Sequence, residues 1–436
     1  MTEQSTETGV APPVTDPGAA LDRRVRAVDR AELTPVVRTV VGDAAATVTK
    51  WYRDRMRAGA GGGYGGTAIW RFAGVAALDD GSETAWTVVL KTVAERVWER
   101  PTDPAYWRRE AEVYRSGVAA DAPGLAMPRC YAVRIFEGEG CWLWLEDLAE
   151  GAVRGPADTL ASRRAAAVER PGAESRSRGR RTGATRGSDE TEGEAHWTLE
   201  DFTVVASDLG RFNAHFAHHP VEPRPDWLTV RAFDFRQTAP TVALVDSLPD
   251  DDLVREAFPG EQADRLLDAW HARDTLLARR RDLPTTLCHF DAYPRNLFLR
   301  PSEDGPQTVA VDWDQLADGA VGENAAALVM LSLVWADFDP RRGERLADVV
   351  FDAYLDGLRE GGWEGDSEDV RAGFDVHLVL RWLEFVGRHV RCLADPTIHE
   401  WLSELMGRPV TEMREVLPEI NRLAFGRFAA VEAAGR

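Results

Sequence analysis

The spacing of apolar residues changes once along this chain of 436 residues, and that change constrains the fold most strongly. From about residue 48 to residue 146, short apolar runs alternate with turn residues, which is typical of β-strands. After residue 196, apolar residues recur at helical spacing over long stretches. A chain of this length usually forms more than one compact unit. The sequence therefore predicts an α+β fold with two lobes, the first rich in β-strands and the second mainly helical.

The composition divides the chain into four segments. Residues 1–20 are polar and rich in proline, which predicts a disordered tail, and residues 21–149 form the N-terminal lobe. Residues 150–195 are rich in arginine and lack apolar periodicity, which predicts a disordered insertion. Residues 196–436 form the C-terminal lobe, in which the stretches TTLCHF and NLFLR are expected to form a hairpin.

The charge and the apolar content argue against several classes of partner. The net charge of −20 disfavours nucleic acid, whose phosphates would be repelled, and is compatible with a cationic small molecule. No run approaches the ~20 apolar residues of a membrane helix. The N-terminus lacks a signal-peptide pattern, so we expect a cytoplasmic protein with no membrane partner. The sequence does not indicate an oligomeric state.

Two of the 52 basic residues are lysines, Lys50 and Lys91. This bias suggests that arginine has replaced lysine wherever its bulkier, planar guanidinium can act in place of a compact ammonium. Lys91 follows the apolar run VVL in a predicted strand. A lysine retained there is a candidate for a role that arginine cannot fill, and a strand-end lysine that extends to solvent is the alternative.

The string CHFDAYPRNLFL carries His289, Asp291 and Asn296 at a spacing that suits metal-dependent chemistry, and Asp312 ends an apolar strand sixteen residues later. An aspartate in a loop can accept the proton of a hydroxyl group, and asparagine and aspartate oxygens are ligands for Mg²⁺. Phosphoryl transfer needs these parts. The alternative is a structural turn with a capping aspartate and a buried histidine, and the position of Asp312 disfavours it.

These motifs resemble the aminoglycoside phosphotransferase and choline kinase family, whose fold is related to that of protein kinases. The resemblance implies that Asp291 is the catalytic base, that His289 supports it, and that Asn296 and Asp312 bind Mg²⁺. Asp314 is a further candidate for supporting the site, with a role on the protein surface as the alternative. It also implies an enzyme that transfers the γ-phosphate of ATP, with GTP as the alternative donor, to a hydroxyl of an aminoglycoside-, choline- or sugar-like molecule.

The resemblance implies a nucleotide site in the N-terminal lobe. Lys91 would bind the α- and β-phosphates, and Glu110, on the apolar face of the next predicted helix, would pair with Lys91. The backbone of Glu146 to Leu148 would meet adenine at a hinge between the lobes. The glycine-rich segment GAGGGYGG, with Gly61, Gly62 and Gly63 at its centre, would cover the phosphates. The alternative is that this segment is only a flexible turn.

Asn324 stands where the family usually has an aspartate that braces the catalytic loop. Two other interpretations therefore stay open: a kinase-like module that binds nucleotide with little catalysis, and a protein kinase. The string DWDQ in place of D-F-G disfavours the protein kinase. Weaker signals come from three histidines that could bind a metal and three acids that could bind an amine-bearing acceptor. These are His215, His218, His219, Asp337, Asp339 and Glu384.

Overall fold

The computed structural model describes residues 17–56, 67–96, 100–103, 106–149, 155, 197–303, 305–406 and 409–434. The glycine-rich segment and, apart from residue 155, the arginine-rich insertion lie outside these residues. The chain forms two compact units. The first comprises Met1–Glu99 and Cys130–Glu146, and the second comprises Arg100–Arg129 and Asp147–Arg436.

The first unit is built on an antiparallel sheet with the strand order β1-β2-β3-β5-β4. Its strands are β1 Thr47–Met56, β2 Ala68–Ala77, β3 Glu83–Ala94, β4 Cys130–Phe136 and β5 Gly140–Leu145. Strands β3 and β5 lie inside the sheet, and every residue of β5 is buried. Burial on both faces explains why the sequence of β5 is a continuous apolar run rather than an alternating one.

Two helices precede the sheet in the first unit, α1 Pro17–Ala27 and α2 Arg30–Val41. Helix α2 begins after Asp29, whose side chain accepts a hydrogen bond from the N–H of Glu32 over 3.0 Å. Helix α1 buries Leu21 and Val25 completely. The sequence assigns residues 17–20 to a disordered tail of residues 1–20, but these four residues form the first turn of α1. Burial of Leu21 and Val25 holds this turn in place.

The second unit is mainly helical, which together with the β-rich first unit confirms the predicted α+β class. Its helices are α3 Arg109–Ser116, α4 Leu199–His218, α5 Ala239–Ser247, α6 Asp252–Ala257, α7 Gln262–Arg281, α8 Glu323–Val334, α9 Gly343–Glu360, α10 Ser367–Ala394, α11 His399–Met406 and α12 Val410–Ala434. Helix α8 is buried at every residue and forms the centre of this unit. Among the residues described, none of the helices is long and apolar enough to cross a membrane.

Helices α4 and α9 pack closely in the second unit, and a glycine makes this possible. A Cβ atom at Gly357 would lie 2.1 Å from the carbonyl oxygen of Ser207, which is closer than real Cβ contacts allow. Glycine is therefore required on this face of α9. The start of α4 is held by a reciprocal capping box between Thr198 and Asp201.

Two small antiparallel sheets interrupt the helices of the second unit. Strand β6 Thr285–Cys288 pairs with β9 Ala317–Ala320, and β7 Leu297–Ser302 pairs with β8 Gly305–Ala310. The predicted hairpin between TTLCHF and NLFLR is therefore wrong. All four residues of β6 are paired with β9 instead, so the segment between β6 and β7 is a loop.

Residues Arg100–Arg129 belong to the second unit, although the sequence places them within the N-terminal lobe. The buried guanidinium of Arg109 in α3 is one of the groups that connect these residues to the second unit. It donates hydrogen bonds to the carbonyl oxygens of Asp103, Trp227 and Asp314 over 2.8, 3.3 and 3.3 Å. These bonds tie α3 to the second unit.

Candidate active site

Two loops at one end of the small sheets carry the sequence motifs. Residues 289–296 connect β6 to β7, and residues 311–316 connect β8 to β9. The N–H of Val311 donates to the carbonyl oxygen of Asn296 over 2.9 Å, which joins the two loops directly. This hydrogen bond therefore brings together the loop that contains Asp291 and the loop that contains Asp312.

Asn296 bonds to Asp291 within the first loop. Its Nδ2 donates to the Oδ2 atom of Asp291 over 2.6 Å and to the carbonyl oxygen of Asp291 over 3.0 Å. Because the amide nitrogen makes these bonds, the amide oxygen is the atom of Asn296 that can bind a cation. His289 supports the same loop, since its Nδ1 accepts the N–H of Asp291 over 3.2 Å and its ring packs edge-on against Trp313.

Asp291 is partly buried, and its carboxylate lies among other acidic side chains. Burial and the neighbouring charges of Asp312 and Asp314 raise its pKa to about 8, whereas the charges of Arg381 and Arg231 act in the opposite direction. Carboxylates that share a buried site repel one another unless a proton or a cation lies between them. This arrangement suits a group that exchanges a proton beside a bound cation.

Two residues of the site adopt left-handed backbone conformations, which non-glycine residues rarely do. Phe290 has a φ of 60°, and Asp312 has a φ of 65°. Such conformations cost roughly 1–3 kcal/mol each and persist where the surroundings enforce them. The N–H of Phe290 donates to Oδ1 of Asn324, which is fully buried in α8, over 3.3 Å. Asn324 therefore retains the acceptor atom that a bracing aspartate would provide at this position.

We expect Asn324→Ala to loosen this loop and to lower both stability and turnover. The substitution removes the acceptor of a buried N–H group, which costs about 1–3 kcal/mol. Urea unfolding would measure the loss, and Asn324→Asp is the matched variant because it keeps an acceptor oxygen. Equal stability of Asn324→Ala and the unmodified protein would contradict a bracing role.

The predicted nucleotide-binding residues lie in both units. Lys91 is in β3, with 8% of its surface exposed, and it is paired across the sheet with Ile69 and Leu143. Glu110 is in α3 and only 2% exposed, as its predicted inward face requires. The first unit ends at Glu146, where the hinge is predicted. The pairing of Lys91 with Glu110 would join the two units and stays a prediction. Leu148 is buried, and Gly61, Gly62 and Gly63 lie outside the described residues.

The weaker acidic candidates have structural partners. Asp337 forms an ion pair with Arg295 over 3.1 Å, and both side chains are almost completely buried. Asp339 is exposed and caps a short 3-10 helix. Glu384 bonds to two arginines rather than facing solvent. His215 packs against the ring of His219, and the described part of the chain contains no group of three His, Cys, Asp or Glu side chains arranged to hold a metal.

Several arginines around the site carried no signal in the sequence. Arg109 donates to the carbonyl oxygen of Asp314, and Arg231 donates to the side chain of Gln315 over 3.1 Å, so both contact the loop that follows β8. Arg381 acts on the pKa of Asp291 from α10. Arginine supplies nearly all of the basic residues of this chain, and no individual arginine is therefore conspicuous by type.

The donor atoms of the two loops fit a magnesium ion. Asn296 offers an amide oxygen and Asp312 a carboxylate, and Mg²⁺ prefers such oxygen ligands. Mg²⁺ is usually held by one or two carboxylates together with phosphate oxygens and water rather than by a complete protein cage. Asn296 and Asp312 are therefore suited to hold the metal together with a nucleotide.

Comparisons with known proteins give one family match and several similar solved structures. Residues 188–365 match the model of the Phosphotransferase enzyme family. No curated protein matches the sequence. A microcompartment-associated aminopropanol kinase aligns at 13% identity over 91% of this chain and 98% of its own, with a TM-score of 0.46. An aminoglycoside phosphotransferase from Streptomyces rimosus aligns at 19% identity over 82% and 99%, with a TM-score of 0.35. An ethanolamine kinase from Plasmodium vivax aligns at 9% identity over 87% and 81%, with a TM-score of 0.41.

The matched segment contains both loops of the candidate site, with Asp291, Asn296 and Asp312. It ends at residue 365, before α10. The match thus covers the motifs on which the resemblance rests. The resemblance of this chain to the aminoglycoside phosphotransferase and choline kinase family is therefore confirmed, and it is carried by residues 188–365.

Proposed function

We propose that this protein is a phosphotransferase that uses Mg²⁺ and ATP to phosphorylate a hydroxyl group of a small molecule. One observation carries the proposal: Asn296 bonds to the carboxylate of Asp291 over 2.6 Å while Asp312 is close enough to raise the pKa of that carboxyl group. A base and two oxygen ligands for a metal therefore come from two loops that are joined by a hydrogen bond. The match to a family of phosphotransferase enzymes supports the same reaction.

Asp291 is the proposed base. It accepts the proton of the acceptor hydroxyl as the oxygen forms a bond to the γ-phosphorus of ATP. The bond between that phosphorus and the oxygen that bridges to the β-phosphate breaks, and ADP leaves with the electron pair. Asn296 holds the carboxylate of Asp291 in place through Oδ2, and His289 holds the backbone at the same position.

Asn296 and Asp312 are the proposed metal ligands. Mg²⁺ supplies charge neutralisation at the phosphate groups when it is bound. The left-handed backbone of Asp312, at φ 65° and ψ 63°, lies between the end of β8 and the short 3-10 helix at Trp313–Gln315. The indole N–H of Trp313 donates to the carbonyl oxygen of Ala310 over 2.7 Å, which anchors this turn in the core of the second unit.

Lys91 is the proposed ligand of the α- and β-phosphates, and the only other lysine provides a matched control. We expect Lys91→Arg to weaken turnover by at least about tenfold, because a planar fork cannot replace a compact ammonium in a buried strand position. Lys50→Arg should leave turnover unchanged, since Lys50 is exposed on β1. Steady-state kinetics with ATP would measure both variants. Equal activity of Lys91→Arg and the unmodified protein would remove Lys91 from the site.

Transfer of labelled γ-phosphate tests the proposed function. The purified protein is incubated with labelled ATP or GTP and with aminoglycosides, choline-like amines, sugars and amino alcohols, with and without EDTA. We expect a phosphorylated small molecule that appears only when Mg²⁺ is present. Binding of Mg·ATP without transfer to any acceptor would favour a nucleotide-binding module, and transfer only to protein substrates would favour a protein kinase. ATP as the donor and a cytoplasmic location stay predictions until measured.

A further inference from the structure

Three buried arginines border the catalytic loop of the second unit, and we call them the arginine cluster. They are Arg231, which precedes α5, Arg280 at the end of α7, and Arg381 in α10. Their side chains are 9%, 7% and 8% exposed. A buried charge is costly unless it is paired, so the partners of these arginines decide what the cluster can bind.

Two carboxylates form ion pairs with the arginine cluster. Glu323 pairs with Arg280 over 2.6 Å. Glu384 bonds to both remaining arginines. Its Oε2 atom accepts a hydrogen bond from Arg231 over 2.9 Å and another from Arg381. Two carboxylates are thus bonded to three guanidinium groups, and the charge of a third carboxylate, Asp291, also acts on Arg231.

The arginine cluster also has N–H groups without hydrogen-bond partners. Among the residues that the structure describes, Nε of Arg231, Nη2 of Arg280 and Nε of Arg381 are buried and donate to no acceptor. Buried N–H donors are nearly always satisfied in folded proteins. Three such donors on positively charged groups of one cluster indicate a missing acceptor, and a negatively charged oxygen is the matching partner of a guanidinium group.

The arginine cluster lies beside the proposed reaction centre. The guanidinium of Arg231 packs over the ring of Phe290 at 5.7 Å, and Phe290 directly precedes Asp291. Arg231 also donates to Gln315 in the loop that contains Asp312. Arg381 shares the Oε2 atom of Glu384 with Arg231, so the two guanidinium groups lie next to each other.

We propose that the acceptor of this enzyme carries an oxyanion group, a carboxylate or a phosphate, which binds to Arg231 and Arg381 while its hydroxyl group faces Asp291. This inference rests on the proposed phosphotransferase function and names the class of its acceptor. Planar guanidinium groups bind carboxylate and phosphate oxygens through paired, charge-assisted hydrogen bonds. A cationic acceptor, which the net charge of −20 suggests, would offer no acceptor atom of opposite charge to these N–H groups.

Paired acceptors that differ in one anionic group test the inference. Homoserine is compared with 3-aminopropan-1-ol for the carboxylate, and glycerol 3-phosphate with glycerol for the phosphate. Calorimetric titration in the presence of Mg²⁺ and a non-hydrolysable ATP analogue measures binding, and labelled ATP measures transfer. We expect the anionic member of at least one pair to bind about ten- to a hundredfold more tightly, as one or two charge-assisted hydrogen bonds would provide.

Variants on α10 separate anion recognition from a general loss of structure. Arg381→Gln should remove most of the preference for the anionic member, measured as the ratio of the binding constants of the two members in the same variant. Arg381→Lys should retain part of the preference, because it keeps the charge. Arg391→Gln, an exposed position ten residues further along α10, should behave like the unmodified protein.

The inference is overturned if neither pair shows tighter binding of its anionic member, whether both members bind equally or neither binds. It is also overturned if Arg381→Gln weakens both members of a pair to the same extent. These outcomes differ from failure of the proposed function. An enzyme that phosphorylates uncharged or cationic acceptors with Mg·ATP keeps the function and loses the inference, whereas a protein that binds no Mg·ATP loses the function itself.

Discussion

Asp291→Asn is expected to abolish turnover and to make the protein more stable above pH 8. The variant loses the proposed base, and general base catalysis typically contributes about 100- to 10,000-fold to the rate. It also removes a buried carboxyl group whose pKa is raised to about 8 by burial and by Asp312 and Asp314. Asparagine has nearly the same shape and can still accept the hydrogen bond from Asn296.

The sign of the stability effect follows from the direction of the pKa shift. A carboxyl group whose pKa is higher in the folded protein than its usual value of 3.8 destabilises the fold increasingly as pH rises between these two values. We therefore expect Asp291→Asn to be more stable by about 1–3 kcal/mol near pH 8 and equal in stability near pH 4. Urea unfolding across this pH range measures the difference.

A matched control for this prediction is Asp356→Asn on α9. The side chain of Asp356 is 70% exposed, so its substitution should change neither turnover nor the pH dependence of stability. If Asp291→Asn lost stability at every pH, Asp291 would contribute to the fold rather than oppose it. If Asp291→Asn kept full turnover, another residue would be the base.

Glu323→Ala is expected to cause the largest loss of stability of any single substitution discussed here. Glu323 is fully buried at the start of α8 and accepts hydrogen bonds from Arg280 over 2.6 Å and from the N–H of Ala320 over 2.7 Å. It also contacts Nδ1 of His377 over 3.2 Å. Removal of one partner of a buried ion pair leaves an uncompensated charge, which costs about 3–5 kcal/mol.

The pH dependence of this effect distinguishes the ion pair from simple packing. Although burial acts in the opposite direction, the hydrogen bond and charge of His377 and the charge of Arg280 lower the pKa of Glu323 to about 2. The stabilisation is therefore complete above the usual value of 4.5 and is lost as pH falls through about 2. Urea unfolding of Glu323→Gln at pH 7 and at pH 2 to 3 should show a deficit that shrinks in acid.

Two further variants make the Glu323 prediction decisive. Glu364→Ala, at an exposed position, should leave stability unchanged. Arg280→Met combined with Glu323→Gln should be more stable than the sum of the two single effects implies, because the double variant contains no unpaired buried charge. Additive effects of the two substitutions would show that Arg280 and Glu323 are not energetically coupled.

The residues at the centre of the site could be predicted because their types are unusual at their positions. Asp291, Asn296 and Asp312 are polar residues next to apolar strands, and the structure brings their two loops into direct contact. Lys91 stands out because it is one of two lysines. The sheet of the first unit was predictable for a related reason, since short apolar runs bounded by turn residues are typical of β-strands.

Other features depend on long-range contacts that local patterns do not encode. Strand β6 pairs with β9 across the whole of the intervening hairpin, although a pairing with the next strand along the chain was the simpler expectation. Arg109 assigns its segment to the second unit through bonds to residues more than 100 positions away. Glu323 and Glu384 resemble ordinary surface acids in the sequence, and burial beside arginines gives them their roles.

Equilibrium binding of ATP, measured by calorimetry with Mg²⁺ and with EDTA, tests the central claim most directly. The claim is that the loop of Asp291 and the loop of Asp312 together hold a metal-bound nucleotide. We expect the unmodified protein and Asp291→Asn to bind ATP tightly only with Mg²⁺, and Asp312→Ala to lose the contribution of Mg²⁺. If the unmodified protein bound no ATP, or bound it equally well in EDTA, these loops would not form a nucleotide and metal site.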